Sequence, residues 1–353
     1  MRVVEGYYEC PVPVIVDMAA LTIEYTTVIA DQAVILRLPS ATDVSQSRDE
    51  LSAPQWHYTE REDLLSVRPE LATFWGRIVI WTENYDAPKA TDVRRVGISL
   101  TVDGDDDTLR DTGRRVAEAM PAWWAAVSAW IEILHGQDLS RLGSVEPGIK
   151  FSGATLWSRL YTLHGHPIRG GALLPVGSNT VGLVWPNFRA ISAHQLQRCI
   201  DYGDSSGPPP TEWLILRDAS SLCAGHDYRR AVLDAGLAAE LGVTTLIRTH
   251  LAASDDADVE GELRRNSMLG RLSKYWIEQC GGALPTGYRT RLIDKRNAAT
   301  HVGSQLLEAD ARDAITVARE ILCQATPLPT LRSRGRFRSS TPSPEPAKPR
   351  QCR

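Results

Sequence analysis

The spacing of hydrophobic and polar positions changes along the chain. Up to about residue 102, apolar residues come in short β-branched runs separated by turn residues, a pattern typical of strands. It predicts five strands, at Val12–Val16, Leu21–Val28, Ala33–Leu38, Ile78–Trp81 and Val96–Val102.

A long helical pattern follows these strands. It runs from Leu109 to Leu134, and Pro121 predicts a break in it, because proline cannot donate the main-chain hydrogen bond of a helix interior. Gly148 to Trp185 returns to strands and turns, with turn candidates at residues 170–171 and 177–179, and Ile191–Tyr202 predicts a short helix. We therefore expect residues 1–205 to form a mixed α+β domain.

The segment Gly203–Pro210 combines flexible residues with three prolines, and we interpret it as an interdomain linker. After it, apolar residues recur at helical spacing alone, which predicts an antiparallel bundle over residues 211–326. The predicted fold class is therefore α+β, with a strand-rich domain followed by an all-α helical-bundle domain. The bundle helices are predicted at Glu212–Leu222, at 228–247 after an N-cap at Asp227, at Glu262–Gln279 and at Arg312–Ala325.

Composition adds a third segment. Residues 327–353 are rich in proline, serine and arginine, and their seven basic side chains against one acid give them a net charge of +6, whereas the whole chain carries −4. This composition predicts a disordered basic tail. No apolar run approaches the roughly 20 residues of a membrane span, and the N-terminus has no secretory pattern. Six cysteines without a Cys-x-x-Cys pair predict reduced thiols, and we expect a cytoplasmic protein.

An acidic segment and a group of tryptophans each allow two interpretations, one chemical and one structural. The carboxylates of Asp103–Asp107 could bind a hard cation or could cap the following helix, and the missing EF-hand glutamate favours the cap. Trp123, Trp124 and Trp130 could stack on nucleic-acid bases, but their aliphatic neighbours favour core packing. We predict neither a metal site nor a cofactor, and the common hydrolase, phosphate-loop and zinc-protease motifs are absent.

An arginine followed five residues later by a histidine occurs three times: Arg159 with His164, Arg189 with His194, and Arg296 with His301. The first pair lies in strand-like sequence, where alternation sends the two side chains to opposite faces. The second has no other basic group nearby. In the third, Asn297 follows Arg296, and Arg289, Arg291 and Lys295 precede it. Four cations within eight residues attract anions, so the third pair is the candidate site.

Residues from about 212 to 326 resemble a HEPN domain, the small helical bundle common in prokaryotic toxins and phage-defence proteins. The likeness rests on Arg296-Asn297-x-x-x-His301, on an early helix that contains Ala238-Ala239-Glu240, and on the order of helices, motif and closing helix. The resemblance implies metal-independent endoribonuclease activity on RNA. It also implies a homodimer, because in many members two chains bring their motifs together in one cleft.

The resemblance assigns roles to the motif. His301 would move protons near neutral pH, Arg296 would oppose the charge of the phosphorane, and Asn297 would orient either group or hold a phosphate. Arg291 and Lys295 would be auxiliary anion contacts. Glu240 would help to orient the arginine.

Two alternatives stay open from the sequence. Some HEPN domains are catalytically inert and serve as binding or dimerisation modules. Arg296 and His301 could also be purely structural, as helix caps paired with acids such as Asp294 or Glu308. For residues 1–205 we expect, by analogy with multidomain defence proteins, a domain that senses or binds an unidentified trigger.

Overall fold

The computed structural model describes residues 2–42, 49–54, 74–84, 87–142, 148–152, 157–158, 174–175, 180–184, 189–253, 258–301 and 305–329. An antiparallel sheet comes first and a helical region follows, which confirms the α+β class. The sheet consists of β1 (Arg2–Asp17), β2 (Glu24–Ile29), β3 (Gln32–Arg37), β4 (Gly76–Trp81) and β5 (Pro88–Val102).

The strands follow the order β1-β5-β3-β2, and β4 also pairs with β5. Strand β1 begins at Arg2 rather than at the predicted Val12. Prolines at positions 11 and 13 have no N–H to donate and suggest a break, but a register shift between Glu9 and Val14 accommodates them. The predicted start of β2 at Leu21 is also wrong, because residues 18–22 form a 3-10 turn.

Helix α1 (Asp106–His135) packs on this sheet through a stripe of buried residues: Val116, Met120, Trp124, Val127 and Ile131. The predicted break at Pro121 is wrong, since the helix is continuous. Pro121 and Ala117, whose carbonyl loses its helical partner, are both exposed, so water can satisfy that carbonyl. Trp124 and Trp130 are buried in the core as predicted, and Trp123 is half-buried at its edge.

Two small two-stranded sheets follow α1. Strand β6 (Gly148–Ser152) pairs with β9 (Thr180–Val184), and β7 (Trp157–Ser158) pairs with β8 (Leu174–Pro175). The predicted turns at 170–171 and 177–179 lie outside the described residues. So do the Arg159–His164 pair and the predicted tail from residue 330 onward.

Helix α2 (Ala193–Ser206) lies along the outer edge of β2. The Gln197 side-chain amide donates to the carbonyl of Thr26 at 3.0 Å, and the N–H of Val28 donates to a carboxylate oxygen of Asp204 at 3.3 Å. The helix continues through Ser206, so the first half of the predicted linker is helical. The connection to the next helix is only Gly207–Pro210.

The helices of the second half are α3 (Thr211–Ala224), α4 (Tyr228–Leu251), α5 (Val259–Arg265), α6 (Leu269–Glu278), α7 (Asp294–Thr300) and α8 (Glu308–Ala325). A π-helical turn (Arg289–Ile293) runs directly into α7. The prediction of one helix over Glu262–Gln279 is wrong. Asn266 ends α5, because its side-chain amide and its main-chain N–H both bond to the carbonyl of Glu262.

Alanine is the most frequent residue in the core of the helical half. Small side chains let helix axes approach closely, so the surfaces of α4, α7 and α8 meet with little space between them. The fully buried alanines on these three helices are Ala231, Ala235, Ala238, Ala239, Ala299, Ala311, Ala314 and Ala318.

Polar contacts join the two halves of the chain. The indole N–H of Trp130 donates to the carbonyl of Gly207 at 2.8 Å. Nη1 of Arg217 on α3 lies 3.3 Å from the buried carboxylate of Glu132 on α1. Burial raises the pKa of Glu132, although Arg217 and main-chain hydrogen bonds oppose the shift. Leu328, just beyond α8, packs against both hydrophobic cores.

Candidate functional site

Four of the six predicted site residues, Arg291, Lys295, Arg296 and Asn297, lie on the π turn and α7, a helix that the periodicity does not predict. His301 directly follows α7, and Glu240 lies on α4. The segment is wedged between α4 and α8. Leu292 and Ala299 are fully buried and anchor it in the core. Single π turns inside helices shift the register of the side chains around the axis and are frequent at functional sites. In this segment the consecutive cations Lys295 and Arg296 face different helices, α8 and α4.

Arg296 faces α4, and its aliphatic stem lies across Gly236. A Cβ at position 236 would be 2.7 Å from Cδ and 3.0 Å from Cγ of the arginine. Nη2 of Arg296 reaches Oε2 of Glu240, one turn further along α4, at 3.0 Å. Glycine inside a helix costs about 0.5–1 kcal/mol relative to alanine, so the space for the arginine has an energetic cost. Gly236 therefore supports the aliphatic stem of Arg296, and Glu240 holds its guanidinium.

The acid that pairs with Arg296 is therefore Glu240. The alternative partners, Asp294 and Glu308, are wrong for Arg296, since Glu308 instead pairs with Arg312 at 2.6 Å. Oε2 of Glu240 is buried and accepts no well-aligned hydrogen bond from the described residues, so its contact with Arg296 is mainly between charges. Because both side chains remain about a quarter exposed, a ligand can still approach the guanidinium.

Lys295 and Arg291 face α8. Nζ of Lys295 lies 2.5 Å from a carboxylate oxygen of Asp310, and Nη2 of Arg291 lies 2.9 Å from Asp313. The hydrogen bond from Lys295 helps to hold the pKa of Asp310 below its ordinary value. These two predicted anion contacts are thus already paired with carboxylates, which reduces the positive potential expected from the sequence.

His301 follows the last residue of α7 in extended conformation. Its main-chain N–H donates to the carbonyl of Ala298 at 3.1 Å. The residue is exposed, and within the described part of the chain its imidazole makes no hydrogen bond or ion pair. Asn297 is exposed too, and its carbonyl accepts a hydrogen bond from the Thr300 hydroxyl at 2.6 Å. Both side chains are accessible to a large substrate.

Sequence reasoning missed two residues of this site, Gly236 and Arg229. Nε of Arg229 donates to the carbonyl of Ala299 at 2.7 Å. Arg229, Gly236 and Glu240 are separated by seven and four residues along α4, a spacing that places all three on one helix face. This spacing was the available signal, but nothing in the sequence showed that α7 would cover that face.

Arg189, the arginine of the second arginine–histidine pair, takes part in hydrogen bonds at the end of α1 through its main chain. The carbonyl of Arg189 lies 2.9 Å from Nε2 of His135 and accepts a hydrogen bond from Gln137 at 3.0 Å. A carbonyl only accepts, so Nε2 of His135 carries the proton. Burial lowers the pKa of His135, with the hydrogen bond to Arg189 opposing the shift. These contacts fix the end of α1 through the main chain of Arg189.

The acidic segment before α1 serves as a helix cap. Asp105 accepts hydrogen bonds from the main chain and the hydroxyl of Thr108, at 2.9 and 2.7 Å, which lower its pKa. Among the residues that the structure describes, no three His, Cys, Asp or Glu side chains are grouped as a metal site would require. In the same part of the chain, no helix is both long and apolar enough to span a membrane.

Comparison with protein-family models, with curated proteins and with solved structures found no match to this chain.

Proposed function

We propose that this chain is a metal-independent endoribonuclease of a toxin or antiphage-defence type, with Arg296 and His301 as its catalytic pair. The observation that carries the proposal is the contrast between the two residues. Arg296 is fixed across Gly236 against Glu240, whereas His301 stands exposed at the end of the same helix. A positioned cation beside an accessible proton carrier suits phosphodiester cleavage.

The chemistry follows from the two side chains. His301 takes the proton of a ribose 2′-hydroxyl, whose oxygen attacks the adjacent phosphorus. The bond from that phosphorus to the 5′-oxygen of the next nucleotide breaks, and the leaving oxygen takes up the proton that the His301 imidazole returns. Arg296 opposes the charge that develops on the phosphoryl oxygens. Asn297, exposed beside Arg296, orients the phosphate. The expected products carry a 2′,3′-cyclic phosphate and a 5′-hydroxyl, and no step requires a metal.

The proposal includes a homodimer in the cytoplasm. Two chains would bring their 289–303 segments together, so that RNA is cleaved in a shared cleft. The α+β half would sense or bind the trigger that controls cleavage.

A catalytically inert HEPN-like binding module is the second candidate. It is favoured by the ion pairs that already engage Arg291, Lys295 and Arg296, because a cation paired with a carboxylate holds a phosphate less strongly. The two candidates differ in whether any RNA is cleaved.

The test is cleavage of total cellular RNA by wild-type protein, His301→Ala and Arg296→Ala. Under the ribonuclease proposal, loss of His301 slows cleavage by about 10²–10⁴-fold, and loss of Arg296 by about 10²–10³-fold. Cleavage by the wild type persists in EDTA. His194→Ala, which changes the histidine of another pair with the same spacing, cleaves at the wild-type rate.

Melting curves recorded alongside separate chemistry from folding. Each inactive variant should melt within a few degrees of the wild type. A folded His301→Ala protein that cuts RNA at the wild-type rate refutes the site. Wild-type protein that binds RNA but never cleaves it supports the binding module instead.

A further inference from the structure

The face of α4 beneath α7 carries a second charged residue, Arg229, near its start. Gly236 and Glu240 hold Arg296, and Arg229 lies seven residues before Gly236 on the same face. Arg229 reaches the opposite end of α7, where its Nε donates to the carbonyl of Ala299 at 2.7 Å. The two helices are therefore antiparallel here, and Arg229 stands at the end of α7 from which His301 emerges.

Arg229 contacts the same end of α7 that His301 follows. Ala299 and His301 are two residues apart, so their Cα atoms are separated by at most about 7.6 Å. The hydrogen bond to Ala299 uses Nε and fixes the plane of the Arg229 guanidinium. Its two terminal nitrogens carry the donors of the fork that matches two phosphate oxygens.

Charge pairing distinguishes Arg229 from three of the other cations around the motif. Arg296, Lys295 and Arg291 are each within 3.0 Å of a carboxylate. Among the described residues, the one polar contact of Arg229 is to a neutral carbonyl, and no carboxylate pairs with it. The neighbouring Arg230 differs, since it lies 3.9 Å from Asp227. Arg229 thus keeps an uncompensated positive charge at the end of α7 that the exposed histidine follows.

We propose that Arg229 binds an RNA phosphate next to His301, with Nε holding the end of α7 and the terminal nitrogens holding the phosphate. The inference rests on the proposed function and assigns RNA binding and catalysis to two different arginines of that site. Arg229 supplies the binding charge, and the Glu240-held Arg296 is reserved for the charge that develops during cleavage.

The competing explanation is that Arg229 only caps α7, since basic side chains often bond the last carbonyls of a helix. Arg229→Gln separates the two. Glutamine retains an N–H donor for the carbonyl of Ala299 and removes the charge. If Arg229 is only a cap, this variant keeps both the melting temperature and the RNA affinity of the wild type. If Arg229 binds a phosphate, RNA affinity falls while the melting temperature changes little.

The experiment measures binding of a 12-nucleotide RNA with 2′-O-methyl riboses, which cannot be cleaved through the 2′-oxygen. Fluorescence anisotropy at several salt concentrations compares full-length wild type, Arg229→Gln, Arg229→Lys and the control Arg230→Gln. We expect Arg229→Gln to bind about tenfold more weakly, with a log–log salt slope smaller by about one. Arg229→Lys stays within about threefold of the wild type, and Arg230→Gln is unchanged. The basic C-terminal segment is common to all four proteins.

Arginine labelling of the wild type with phenylglyoxal gives a second measurement, independent of how any variant folds. The 2′-O-methyl RNA should protect Arg229 from modification and leave Arg230 reactive. Unchanged affinity and slope in folded Arg229→Gln, or no protection of Arg229, overturns the inference while RNA cleavage by the wild type stands. Wild-type protein that neither binds nor cleaves RNA overturns the proposed function, and the assignment of Arg229 with it.

Discussion

Gly236 lies directly beneath the side chain of Arg296. The absence of a Cβ at this position leaves the space through which Cγ and Cδ of the arginine pass. The two residues are 60 positions apart in the chain and meet because fully buried alanines bring α4 and α7 close together. The position of the guanidinium therefore depends on a residue that carries no functional group.

Gly236→Ala should remove activity without unfolding the protein. The added Cβ must displace the Arg296 stem, and a shift of about 1 Å at a reacting group can cost about 10²-fold in rate. Alanine is also the better helix former by about 0.5–1 kcal/mol, which offsets the crowding. RNA cleavage should fall about 10²-fold, and the melting temperature should change by no more than a few degrees.

Gly242→Ala is the matched control on the same helix. A Cβ there would be 2.7 Å from Cδ2 of Leu322 and 3.1 Å from Cγ2 of Ile321, both in the core. Overpacking costs about 1–3 kcal/mol, so this variant should melt earlier and still cleave RNA below its melting temperature. The assignment fails if Gly236→Ala is fully active, or if both variants lose activity only in proportion to stability.

Glu240→Gln should lower kcat without raising KM. The amide keeps the shape of the side chain but removes the charge that holds Arg296, so the guanidinium is less precisely placed. Loss of one carboxylate also makes the local potential more positive, which favours RNA binding. We expect kcat to fall about tenfold in steady-state cleavage assays, with KM equal to or below the wild-type value.

Asp313→Asn tests whether the lower kcat of Glu240→Gln comes from the position of Arg296 or from the change in local charge. It removes the partner of Arg291, and hence the same amount of charge, without touching Arg296. Its KM should fall as in Glu240→Gln while kcat stays at the wild-type value. An unchanged kcat in Glu240→Gln would remove the positioning role of Glu240.

His135 should make stability fall as pH drops below about 6.5. Its pKa is lowered in the fold by burial, so the unfolded chain takes up a proton at higher pH than the folded chain. Stability is then complete above the unfolded value of about 6.5 and falls as pH drops toward the folded value. His135→Gln, whose amide can donate to Arg189, should flatten melting temperature against pH in this range. His301→Gln, which changes an exposed histidine, should retain the wild-type slope.

Arg217→Gln should destabilise the contact between the two halves of the chain. It leaves the carboxylate of Glu132, whose side chain is 4% exposed, without its cation. Breaking a buried pair in this way typically costs about 3–5 kcal/mol. The loss should be small near pH 4, where Glu132 is protonated, and should grow as pH rises, because burial then opposes ionisation.

Two further variants complete this test in thermal unfolding measurements. Glu132→Gln combined with Arg217→Gln should recover part of the lost stability, since no unpaired charge remains buried. Asp218→Asn, which removes the other and more exposed partner of Arg217, should have little effect. Additive losses in the double variant would show that the two residues do not interact energetically.

The sequence predicts the helices that bury a continuous stripe of apolar side chains. It misses the helices that bury only a few isolated side chains. Helix α4 repeats buried positions from Ala231 to Ile247, so its periodicity is plain. The π turn and α7 bury only Leu292 and Ala299, too few for a stripe, and the π turn shifts the register between them. The motif residues were thus identified by type and spacing, while the helix that carries them was not.

Most contacts of the site cannot be predicted from the sequence, for a different reason. Glu240 was proposed to orient Arg296, and the structure brings the two together. The pairing of Lys295 with Asp310 and of Arg291 with Asp313 was not anticipated, because it depends on how α7 packs against α8. The number of cations in a short segment therefore overestimates the positive potential of a site when carboxylates from other helices pair with those cations.

The contacts that α2 makes with β2 bear on how two copies of the chain could associate. An edge strand presents outward-pointing amides and carbonyls, and a second molecule can extend the sheet by pairing with them. At Thr26 and Val28 these groups are already bonded to Gln197 and Asp204. Intermolecular strand addition along this edge would have to displace a helix, so β2 offers little opportunity for the protein to polymerise.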